Sequence, residues 1–240
     1  MHVPLNFLAV TDLPYVWEQA TPEGKAIIVV LVIFSIFAWS VMAYKALQMR
    51  RAKRLNGFFE AEFRTQKHVV DVYDRRVQVP DCPLFMVYYE GCRELAARLR
   101  KPAEASPPKA HLSLKAMEHV KRSLERTVAQ QSLKLESGLI LLAIAVSGAP
   151  FLGLLGTVWG VMSTFSHIAM KGRADLATMA PGVAAALITT VAGLLVAIPS
   201  MFGYNWLVHN LRVMTVELDN FAQELTSHIE TEHLEDNHDL

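Results

Sequence analysis

Long stretches without charge alternate in this chain with stretches dense in it. Gly138 to Met170 holds no Lys, Arg, Asp or Glu over 33 residues, and Leu176 to Leu211 holds none over 36. About 20 apolar residues cross the ~30 Å hydrocarbon layer of a bilayer, so each run suffices for one crossing. A third apolar run, Ala26 to Tyr44, is just long enough. Elsewhere the pattern is amphipathic. Leu55, Phe58, Phe59, Phe63, Val69 and Val70 mark helix over 49–79, which Pro80 and Pro83 break; Leu84 to Arg100 is a second helical stretch. Residues 101–110, KPAEASPPKA, read as a loop. Leu112 to Leu135 is a basic amphipathic helix. Nothing between Ser113 and Ser147 is expected to stop it before it enters the second span. Val213, Val216, Leu218, Phe221, Leu225 and Ile229 keep near 3–4 spacing, so the third span is expected to continue as a helix too.

The predicted fold is an all-α membrane protein with three transmembrane helices, the second and third extending as long helices into the cytoplasm. The expected layout is a periplasmic segment with an interfacial helix (1–25), spans at 26–48, 138–170 and 176–207, a helical cytoplasmic region (49–137), a periplasmic turn (171–175) and an acidic cytoplasmic tail (208–240). Charge sets this orientation. Residues 49–137 carry 18 basic against 11 acidic residues, and Lys45, Arg50, Arg51, Lys53 and Arg54 crowd the exit of the first span. Lys and Arg near span ends stay on the cytoplasmic side. After Leu211 a single Arg212 faces eight acidic residues. The basic 112–134 and acidic 217–236 helices are therefore expected side by side, although surface ion pairs contribute little each.

The first 25 residues lack the basic n-region of a signal peptide, and Pro4, Asp12, Pro14, Glu18 and Pro22 interrupt any apolar region, so the first span is expected to remain as an anchor. Thr21-Pro22-Glu23 reads as N-cap, first-turn proline and first-turn acid. Cys82 and Cys92 fall in the region placed in the cytoplasm and are expected as reduced thiols. No metal site, cofactor or nucleic-acid partner is expected. The second and third spans hold no carboxylate, lysine or arginine, and no P-loop, nucleophile elbow or HExxH occurs, so the chain is not read as an enzyme.

The remaining chemistry lies inside the spans. Gly153, Gly156 and Gly160 recur 3 and 4 apart on one side of the second span, and Gly182, Ala186, Thr189, Gly193 and Ala197 step 4, 3, 4, 4 along the third. Such faces let helix backbones approach closely. Pro150 and Pro181 each remove a helical hydrogen bond and are expected to bend their spans. Thr157 and Thr190 sit near the bilayer midplane. A buried threonine can simply bond the carbonyl one turn back and need no further role. Two at matched depth on small-residue faces are the candidates for a polar lining. Neither titrates, so any proton carrier must come from another chain. His167, near the other end of the second span, reads as an interfacial polar residue.

APFLGLLGTVWGVMSTF (149–165) followed by MAPGVAAALITTVAGLLVAIP (179–199) resembles the ExbB/TolQ/MotA proton-channel family, most closely its ExbB and TolQ branch. The resemblance implies a homo-oligomer, a pentamer in the family, around a pore in the bacterial inner membrane. It implies single-span ExbD- or TolR-like partner helices in that pore, whose aspartate cycles a proton. The resulting work would pass to a TonB- or TolA-like protein. Thr157 and Thr190 match the family's pore threonines. One departure stands out: APGVAAAL places Ala185 where the ExbB and TolQ pattern has glutamate. The alternative is therefore a non-conducting oligomeric scaffold that docks a partner's transmembrane helix.

Overall fold

The helix-start signal at Thr21-Pro22-Glu23 works as its residues dictate. In a computed structural model that describes residues 21–75, 78–99, 112–171 and 176–233, Thr21 Oγ1 accepts the Gly24 N–H at 3.2 Å and Pro22 opens the first helix. That helix, α1 (Pro22–Arg64), runs 43 residues through the first apolar stretch and the basic cluster. The others are α2 (Asp71–Asp74), α3 (Pro83–Leu99), α4 (Leu114–Glu136), α5 (Leu139–Lys171) and α6 (Leu176–His233). The protein is all-α, and α1, α5 and α6 are each long and apolar enough to cross a membrane. The interfacial helix expected within 1–25, the loop over 101–110 and most of the 171–175 turn lie outside the described residues.

Two expectations are corrected. The helix read over 49–79 ends at Arg64. Thr65, Gln66, Lys67 and His68 interrupt the apolar period, and the chain turns there, with Gln66 N–H on Phe63 O at 3.1 Å and Thr65 Oγ1 donating to Glu62 O at 2.7 Å. The unbroken passage from the basic helix into the second span is also absent, because α4 stops at Glu136. Ser137 donates its N–H to Leu133 O (2.9 Å), and Gly138 takes φ 85°. A glycine in the left-handed region is a common helix terminator, and this one supplied the stop signal that the reading passed over.

The chain divides into two compact units. One comprises Met1–Ala43 with Gly138–Trp206. Its interior contacts are thin: Leu31 of α1, Ala149 of α5 and Val196 and Ala197 of α6 form a small apolar cluster. Most of its large side chains face outward, with Ile36, Phe37, Phe151, Leu195 and Phe202 each at least 65% exposed. In water that surface would be unstable; in hydrocarbon it is matched to its surroundings.

The other unit comprises Tyr44–Ser137 with Leu207–Leu240 and is organised as a water-soluble bundle. Phe59, Phe63, Phe85, Tyr88 and Phe221 form an aromatic cluster with ring centroids 5.2–6.4 Å apart. Leu95, Val120, Leu124, Leu218, Leu225 and Ile229 complete the core. Tyr88 ties down the 65–70 turn: its hydroxyl donates to Val69 O (2.6 Å) and accepts from Tyr73 N–H (2.9 Å). The basic and acidic helices both pack into this core, with Leu124 of α4 and Leu225 of α6 meeting at Gly91 of α3. Among the described residues no ion pair links α4 to α6. Arg122 of α4 pairs within its own helix, with Glu118 at 3.1 Å. Apolar burial does this packing, as the small value of exposed ion pairs leads one to expect.

Candidate functional site

Within the first unit, α5 and α6 touch backbone to backbone. A Cβ added to Gly193 would stand 2.6 Å from Ala149 O and 3.2 Å from Gly153 Cα; one added to Gly153 would stand 2.9 Å from Thr189 O and from Thr190 Cα. Only glycine permits that approach. Gly160 meets Ala186, Gly182 meets Thr164 and Gly156 meets the Thr189 side chain, so all six small residues singled out from the sequence lie at α5–α6 contacts. Both helices run on through their prolines, Pro150 in α5 and Pro181 in α6.

The residue that sequence reasoning passed over is Thr189. It appeared only as one step of the small-residue face, yet it is 1% exposed and its hydroxyl bridges the two helices, 2.7 Å from Ala186 O and 3.1 Å from Gly153 O. Its position in register with Ala186 and Gly193 was the available signal. Thr157, by contrast, is half-buried and bonds Leu154 O at 2.7 Å. His167 is exposed, with Nδ1 2.9 Å from Ser163 O.

Thr190 differs from all of these. Its hydroxyl oxygen is buried and has no hydrogen-bond partner. A threonine in a helix often bonds a carbonyl one turn back, as Thr157, Thr164 and Thr189 all do here. Thr190 does not, so its half-buried side chain carries an unpaired hydroxyl. Two χ1 rotamers are open to a helical threonine, so rotation about that bond can carry the hydroxyl to the open side in place of the methyl. No hydrogen bond joins the Thr157 and Thr190 hydroxyls.

Ala185 is 4% exposed. With Thr21 just ahead of α1, Gly24 of α1, Gly156 and Gly160 of α5, and Gly182, Ala186 and Thr189 of α6, it lines a cavity of about 10 Å³, room for no more than a single water. The position where the resembled pattern carries glutamate is thus buried inside this protomer, lining the same small cavity as Gly156 and Gly160.

The model of the MotA/TolQ/ExbB proton channel family matches residues 94–220, more than half of the chain. The chain belongs to that family. It is 31% identical to the Tol-Pal system protein TolQ of Pseudomonas aeruginosa over 90% of this chain and 92% of that one. It is 30% identical to TolQ of Haemophilus influenzae over 95% of each. It is 29% identical to the biopolymer transport protein ExbB of Neisseria meningitidis serogroup A over 89% of this chain and 95% of the relative. With three apolar helices, this family member is a multi-pass inner-membrane protein and a membrane energy-transduction subunit.

Proposed function

We propose that this chain is a proton-channel or stator subunit that uses the proton motive force together with an ExbD- or TolR-like single-span partner, and drives work on a TonB- or TolA-like protein. Several copies, five on the family pattern, would enclose the partner helix. The unpaired Thr190 hydroxyl carries this reading. A buried polar group left without a partner costs about 1–3 kcal/mol, which a carboxylate or water supplied from outside the chain would recover. The second and third apolar runs contain no Asp, Glu, Lys or Arg, and His167 is exposed on its own helix carbonyl, so the proton carrier is assigned to the partner. Thr157 and Thr190 would form the lining that faces it. The six small residues keep α5 and α6 close enough to present that lining as one wall, and Pro150 and Pro181 would set the bend of each helix. The N-terminus is assigned to the periplasm and the acidic tail to the cytoplasm, with spans over 26–48, 138–170 and 176–207 and helices projecting inward.

A second reading is favoured by one observation. With a buried alanine at 185, beside a cavity too small for more than one water, the chain would be a scaffold that docks the partner helix without conducting. Co-reconstitution with the partner in proteoliposomes separates the two. A pH gradient that dissipates only when both proteins are present supports the channel. A stable complex with no proton flux assigns the scaffold.

A further inference from the structure

We propose that the second unit holds a binding site for the phosphate headgroup of an anionic phospholipid, in the cavity between α1, the start of α3 and the end of α4. The cavity measures about 370 Å³, within the range of small-ligand sites. Its walls come from chain immediately beside two apolar runs. On α1, Tyr44 directly follows Ala43, and Arg51 lies about 10 Å further along at 1.5 Å per residue. On α4, Gln131, Lys134 and Leu135 stand three to seven residues before the next apolar run, which opens at Gly138. Both walls are thus among the parts of this unit nearest in sequence to chain that crosses the bilayer.

The charges suit an anion. Arg51 and Lys134 line the cavity, with Asp81 as the single carboxylate among the described lining residues. A third cation stands behind the wall. Lys45 is 4% exposed, and its Nζ donates to Gln48 Oε1 (2.8 Å) and Leu135 O (3.2 Å), both from residues that line the cavity. Both acceptors are neutral, and among the described residues no carboxylate pairs with Lys45. An ammonium carries three protons, so one remains to offer. A buried cation without a counter-charge is costly, and an anion brought into the cavity relieves it. Among the described residues Arg51 pairs with Asp81 alone, at 3.5 Å with both side chains more than half exposed, a contact a phosphate can displace. Tyr44 and Leu47, 66% and 65% exposed, provide the amphipathic and apolar edge along which an acyl chain leaves. Basic pockets beside membrane-spanning helices are a general mode of anionic-lipid capture.

The test measures phosphatidylglycerol retained by the purified full chain against phosphatidylcholine, by native mass spectrometry. R51Q with K134Q is expected to lose phosphatidylglycerol at least about tenfold, whereas R50Q with K53Q, an equal charge loss outside the cavity, stays within about twofold. D81N is expected to gain retention, because it frees Arg51. Asn tolerates the φ of 62° at this position, so the fold is preserved even if the double variant fails to fold. Equal loss in both double variants, no loss in either, or no gain in D81N overturns the site. Displacement of the lipid by millimolar inorganic phosphate overturns the lipid assignment in favour of free phosphate.

Discussion

At the scale of single residues, the glycines and the threonines respond to different physics. Gly193 has no room for a methyl group, since its Cβ would meet a backbone oxygen at 2.6 Å, while Gly57 on α1 has nothing within 4 Å. Gly193→Ala is therefore expected to lower the thermal stability of the detergent-solubilised chain by about 1–3 kcal/mol, and Gly57→Ala to raise it by about 0.5–1 kcal/mol. Opposite signs from one chemical change, read by thermal denaturation, check the backbone contact directly. Thr189→Val removes the hydroxyl that bridges α5 and α6 but leaves both carbonyls in their helical bonds. A loss of only about 0.5–1 kcal/mol is expected in the same assay. Burial pushes the Cys92 thiol up to about 12 and raises that of Cys82 above its ordinary value of 9.0. Both thiols stay protonated in the fold at neutral pH, so a maleimide is expected to label them only after unfolding. The folded-state values are the raised ones. The stability tied to these thiols is fully present below about pH 9 and is lost as pH climbs toward about 12, where the unfolded chain ionises first.

At the scale of elements, α3 depends on a side chain from α1. Asn56 is 3% exposed; its Oδ1 accepts the Leu84 N–H at 3.2 Å and faces Cys82 Sγ at 3.5 Å, which caps the first turn of α3 from outside. Asn56→Ala is expected to cost about 1–2 kcal/mol in chemical denaturation, and to expose Cys82 to alkylation before the rest of the unit opens. The sequence could not reveal this cap, because about 28 positions separate its partners and α1 reads there as one face of an ordinary amphipathic helix. What it did reveal follows from period and length. The three apolar helices, the start at Thr21-Pro22 and the small-residue faces each depend on neighbours within a turn or two. The misread boundaries had local signals that a stronger apolar pattern masked: four polar residues at 65–68, and Gly138 at the mouth of a 33-residue uncharged run.

For the whole molecule, the division into two units mirrors two solvents. One unit turns its large apolar side chains outward and keeps glycine and alanine inside; the other gathers its aromatic residues into a closed core. Family membership fixes the general role. The particular role rests on two hydroxyls, and the single chain explains why sequence alone under-read them. Thr190 differs from Thr157 and Thr189 in having no partner for its hydroxyl, a matter of side-chain placement that the spacing of polar positions does not register. The most direct measurement is proton flux into proteoliposomes that hold this chain with its single-span partner, compared for Thr157→Val with Thr190→Val and for Thr157→Ser with Thr190→Ser. The serine pair keeps both hydroxyls and is expected to conduct within a few-fold of the parent, while the valine pair assembles equally well and loses at least about tenfold, the scale of one lost polar contact. Unchanged flux in the valine pair, with the complex intact, contradicts the lining assigned to these threonines.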